Sequence, residues 1–152
     1  IFLRDSRSDG TPTVMPGKDK PTDQKLSRQQ ERDLDIEIQF LEGVVKRDRN
    51  YVEALQLLGD DYTRRGRFRD GLKVDNRLAR LCPGDPLVHY NLACSYSLTG
   101  EYRRAYNALK KALHHGYRDF DWLRQDPDLE PLRRQPIYAR IEEELSRREN
   151  AT

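Results

Sequence analysis

Apolar side chains recur along this chain at intervals of three and four residues. Leu34, Ile38, Leu41 and Val45 follow one another at +4, +3 and +4, which lines one face of a helix ending near Arg47. Ile36 to Phe40 also alternates like a strand, but the longer period and the charged flanks favour the helix. Ser27 stands three residues before Gln30, a capping-box arrangement that starts this helix. Leu55, Leu58 and Tyr62 form a second stripe, and Ile137, Ile141 and Leu145 form another near the end of the chain. Glu142, Glu143 and Glu144 fall largely on the other side of that last helix and read as a solvated face.

The central stripes repeat. Segments 52–85 and 86–119 match each other at an offset of 34 residues. Leu58-Gly59, Tyr62, Gly66, Phe68 and Gly71 in the first are answered by Leu92-Ala93, Tyr96, Gly100, Tyr102 and Ala105 in the second. A fixed period of this size marks a helix-turn-helix unit used more than once. Each unit needs a neighbour stacked against its apolar face. Gly59 and Ala93 are small where the facing helix must come close, and Gly66 and Gly100 end the first helices where a left-handed residue is wanted. Pro83 stops the second helix of the first unit.

Around this centre the organisation is looser. Residues 1–21 carry Gly10, Pro12, Pro16, Gly17 and Pro21 among charges, without an apolar period, and read as a disordered or extended arm. The remainder, 22–152, reads as a single helical domain, with repeats 52–85 and 86–119 flanked by capping segments 27–47 and 120–149. In the closing segment Phe120, Trp122 and Leu123 precede Asp126-Pro127, an N-cap followed by proline at the first helical position.

Composition agrees with an extended stack. Hydrophobic and charged residues are each 36% of 152 residues, and mean hydropathy is −0.98. Net charge is +2, too small for bulk attraction to nucleic acid or membrane. Lys and Arg outnumber Asp and Glu 12 to 8 over residues 51–119 and trail them 6 to 8 over 120–152. Cys82 and Cys94 form neither a metal spacing nor a redox pair, and they read as small thiols of a reducing compartment. A cytoplasmic location is therefore favoured, while a removed signal or anchor before Ile1 stays compatible with the sequence.

The quoted pattern resembles the tetratricopeptide repeat family, closely over residues 52–119 and loosely over 27–149. Gly59 and Ala93 match its eighth position, Tyr62 and Tyr96 its eleventh, and Gly71 and Ala105 its twentieth. Pro83 matches its late proline, which is Tyr117 in the second repeat. Asp75 stands where an aromatic is typical and Leu78 where alanine is, so irregular packing or partial exposure of Asp75 is expected. Phe120…Leu123…Asp126-Pro127-Asp128-Leu129…Leu132 looks like the ending of many bacterial proteins of this type.

The resemblance implies an all-α, right-handed solenoid of antiparallel helix pairs whose concave side binds a peptide or helix of a partner protein. On that side it places Glu53, Gln56, Asp60, Thr63 and Arg64, then Leu87, Tyr90, Asn91, Cys94, Ser97 and Leu98. Tyr90 is expected to be an exposed anchor of this groove. One subfamily grips C-terminal carboxylates with Lys and Asn, but Gln56 and Asp60 stand there, and Asp60 would repel a carboxylate.

The expected function is thus a non-catalytic scaffold without cofactor or metal, with self-association open and nucleic acid disfavoured. The alternative is an anionic partner, an acidic protein or nucleic acid, met by an arginine-rich edge of Arg65, Arg67, Arg69, Arg103 and Arg104. Nothing points to catalysis. His89 stands at a packing position, and the adjacent His114 and His115 point to different sides of a helix, poor geometry for a shared ion. There is no glycine-rich phosphate loop and no nucleophile with a recognisable base.

Overall fold

A computed structural model describes residues 25–151, so the expected arm at 1–21 lies outside the described residues. Five longer helices come first: α1 (Arg28–Arg47), α2 (Val52–Arg64), α3 (Phe68–Leu81), α4 (Pro86–Leu98) and α5 (Tyr102–His114). The closing segment contributes α6 (Phe120–Gln125), a 3-10 turn (Pro127–Leu129), α7 (Glu130–Arg133) and α8 (Tyr138–Asn150). The described residues contain no strand. Helices pack in adjacent pairs, α2 with α3 and α4 with α5, while α1 lies on α2 and α3 on α4.

The local signals act as their chemistry dictates. Ser27 Oγ accepts from the Gln30 amide at 3.1 Å and the Gln30 side chain accepts from the Ser27 amide at 2.9 Å. Asp85 caps α4 by accepting from Leu87 N at 2.9 Å, with Pro86 at the first helical position. Gly66 and Gly100 adopt φ of 81° and 78°, the left-handed region that a Cβ disfavours. Gly71 of α3 sits so close to α2 that a Cβ there would meet Thr63 Oγ1 at 3.4 Å and Gly59 O at 3.7 Å.

Two apolar clusters form the core. One joins Ile38 and Leu41 of α1 to Leu55, Leu58, Val74 and Leu78. The other joins Tyr90, Leu109 and Leu113 to Leu123, Leu129, Leu132, Ile141 and Leu145 of the closing segment. Ala79 packs against both. Two positions that depart from the repeat pattern have structural reasons. Asp75 is buried rather than exposed, because the Ser95 hydroxyl of α4 donates to its carboxylate. Tyr117 stacks flat on Tyr90, with ring centroids 4.3 Å apart, where the first repeat has Pro83.

Candidate functional site

The two first helices, α2 and α4, carry the eleven residues expected to line the groove, and the structure treats the two sets differently. On α2, Glu53 and Arg64 are exposed and Gln56, Asp60 and Thr63 half-buried, with Leu57 exposed among them. On α4, Tyr90, Cys94 and Ser97 are buried, and Leu87, Asn91 and Leu98 are half-buried. The expectation of an exposed Tyr90 is therefore corrected, since the residue is 0% exposed.

The physical reason is the closing segment, which lies on that face of α4. Asp126 is its anchor. Its Oδ2 accepts from Tyr90 Oη at 2.7 Å, Trp122 Nε1 at 3.1 Å and Cys94 Sγ at 3.7 Å, while Oδ1 accepts from Asp128 N at 3.0 Å. Further along, the amide of Leu132 donates to Ser97 Oγ at 3.1 Å. Leu129 and Leu132 are fully buried below. Burial pushes the Tyr90 phenol well above its ordinary range, with Cys94 and Asp126 adding to the rise, so it acts as a fixed donor. Cys94, Asp126 and Asp128 bring ligand-type atoms within 4.8 Å of one another. Asp126 already accepts from three side chains and a backbone amide, so the arrangement is a hydrogen-bond hub.

The covering of α4 had a signal in the sequence. Pro86–Leu98 contains no Asp, Glu, Lys or Arg, whereas Val52–Arg64 contains Glu53, Asp60, Asp61 and Arg64. A helix without a charged face is covered by other parts of the chain over most of its surface. The closing Trp122, Leu123, Leu129 and Leu132 supply the missing cover.

Electrostatics on α2 centre on Asp61, which is buried, with Oδ2 lacking a hydrogen-bond partner among the described residues. Its carboxyl is pushed up to about 7, first by burial and then by the neighbouring charges of Glu37 and Asp60, with Arg64 opposing. The α2 surface is acidic in consequence of Glu53 and Asp60 rather than of Asp61.

Most of the arginine edge is engaged at home. Arg65 binds Asp35 at 2.9 Å and lies 3.8 Å from Glu31. Arg67 binds Asp70 at 2.9 Å, approaches Glu42 at 3.6 Å and lies over the Tyr62 ring at 4.7 Å. Arg104 binds Glu101 at 3.2 Å, and Arg69 and Arg103 are exposed. Local carboxylates therefore offset much of the ridge that an anionic partner would need. The histidines occupy another face, with His89 buried, its ring stacked on that of His115 at 5.2 Å.

No protein-family model matches the sequence. Over 111 residues, 71% of the chain, the sequence is 31% identical to a chloroplastic protein of Arabidopsis thaliana. The chain spans about a third of that protein, the match covering 32% of its length. Among the described residues no helix is long and apolar enough to cross a membrane.

Proposed function

We propose that the chain is one helical domain, a tetratricopeptide-type right-handed α-solenoid, and that it is a non-catalytic scaffold holding a segment of a partner protein on the exposed face of α2. The observation that supports this reading is the seat of the closing segment on α4. That face already holds a piece of polypeptide, gripping one side chain through Tyr90 and one backbone amide through Ser97.

At the offset of 34 residues, Gln56 stands for Tyr90, Leu57 for Asn91, Asp60 for Cys94 and Thr63 for Ser97. The α2 face thus has the same layout with a different chemistry. Where α4 offers donors to a guest carboxylate, α2 offers the Asp60 carboxylate and the Gln56 amide. The matching guest carries a Lys, an Arg or an amide donor at that place, and an apolar residue to cover Leu57. Thr63 Oγ1 donates to Gly59 O at 3.1 Å, which leaves its lone pairs for a guest amide, as Ser97 serves Leu132.

Affinity capture with the full chain and its Leu57→Asp and Asp60→Arg variants, followed by mass spectrometry, tests the proposal. Proteins held by the parent chain and lost from both variants are expected, with Arg69→Ala and Arg103→Ala retaining them. Loss on the arginine changes with retention by Leu57→Asp would move the site to the basic edge.

A further inference from the structure

On the side of α4 opposite Tyr90, His89, Leu92 and Tyr96 form the floor of a crevice walled by α3 and α5, with a volume of about 810 Å³. That lies within the range of roughly 300–1,000 Å³ usual for small-ligand sites. Arg80 stands on one wall and Arg104 and Lys111 on the other, joined by His114 and His115, while no carboxylate lines the crevice. All three histidines of the chain line it. Among the described residues Arg104 alone of its Lys and Arg side chains pairs with an acid, Glu101 at 3.2 Å. Cations brought together without counter-charges repel one another, and an anion between them removes that repulsion.

His89 packs into the floor and is held in place there. It is 5% exposed, and its Nε2 lies 2.6 Å from the Pro83 carbonyl, which can only accept. Nε2 therefore carries the proton, and the buried Nδ1 has no hydrogen-bond partner among the described residues. That nitrogen has no surface open to solvent, so His89 shapes the floor while Arg80, Arg104 and Lys111 supply the charge. The amides Asn76 and Asn107 add further donors along the walls.

We propose that this crevice binds a ligand bearing several phosphate groups, through Arg80, Arg104 and Lys111. Free polyphosphate and the phosphate chain of a nucleotide share that chemistry, and only the nucleotide also uses the apolar surface of Leu92 on the floor and of Ala79 and Ala108 on the walls. The site stands apart from the α2 face, so either can fail without the other.

Calorimetric titration of the full chain with sodium tripolyphosphate, and separately with magnesium-free ATP, at 0.1 M salt tests the proposal. Saturable binding is expected, weakened about ten-fold by Arg80→Gln and by Lys111→Gln, as loss of one charge-assisted hydrogen bond implies. Arg103→Gln, exposed on α5 outside the crevice, should change it less than about two-fold, as for a distant surface charge. Amide shifts on titration should cluster at Asn76, Tyr96 and Asn107. Equal affinities for the two probes assign the phosphates alone, and tighter ATP binding assigns a nucleotide. Absence of saturable binding, equal losses in Arg103→Gln and Arg80→Gln, or tighter binding of a glutamate-rich peptide than of either probe would overturn the assignment.

Discussion

The Tyr90 hydroxyl of α4 donates at 2.7 Å to the Asp126 carboxylate, 36 residues further along the chain, and both side chains are fully buried. The bond ties the second repeat to the segment that closes it. A buried acceptor that loses a donor costs more than the bond alone contributes, because the carboxylate stays desolvated.

Tyr90→Phe should therefore destabilise the domain by about 1–3 kcal/mol in urea unfolding, with little change in helix content. Asp126→Ala removes the partner of Trp122 as well, and Trp122 is the sole tryptophan. Its fluorescence should shift to the red in that variant as the indole meets water. An unchanged emission maximum would mean that the closing segment is held by its leucines alone.

Acid should stabilise this fold over part of the neutral range. The Asp61 carboxyl is raised to about 7 against an ordinary 3.8, so the folded chain holds a proton that the unfolded chain releases between those values. Stability contributed by that proton is present at low pH and is lost as pH rises towards 7 and beyond. The melting temperature should rise on going from pH 8 to pH 6, and Asp61→Asn should raise it at pH 8 and flatten the dependence. A parent chain whose melting point falls over that interval would contradict this account.

Gly71 gives a test of helix contact in both directions. A methyl group there meets Thr63 Oγ1 at 3.4 Å, an ordinary contact, and Ala105 occupies the equivalent place in α5. Gly71→Ala should stabilise by about 0.4–1 kcal/mol by restricting the unfolded chain. Gly71→Leu should cost about 1–3 kcal/mol, since α2 and α3 must separate to admit it. Thermal unfolding of the two variants beside the parent chain decides both.

The thiols should separate kinetically. Cys82 is half-buried and Cys94 is buried against Asp126. Burial first, then Asp85 and Glu53, raise the Cys82 thiol, so it should be labelled slowly at pH 7 and faster as pH rises. Cys94 should resist labelling until the chain unfolds, which a mass shift of two labels only in urea would reveal.

Helix positions, caps and turns were legible in the sequence, because each rests on neighbours within a few residues. Ser27 with Gln30, Asp126 with Pro127, and the left-handed Gly66 and Gly100 are all of this kind. The covering of Tyr90 was not read, although the absence of Asp, Glu, Lys and Arg from Pro86–Leu98 pointed to it. Counting register within a repeat places Tyr90 on an outward face and cannot register a segment that returns from 36 residues away. The Asp61 environment was equally hidden, since it depends on Glu37 from another helix. Asp75 went unread for the same reason, its partner Ser95 lying on α4.

The enclosure of α4 bears on how the domain comes apart. Arrays of repeats commonly lose structure unit by unit, because each unit touches only its neighbours. Here α4 packs against α3 and α5 and also beneath the 3-10 turn and α7. Opening it would expose Val88, Leu92, Ala93 and Tyr90 at once and strand Asp126. The amides of α4 are thus expected to exchange with solvent only through global unfolding, while α1, which packs chiefly on α2, frays first. A short stack of helix pairs has in this way acquired an all-or-none centre.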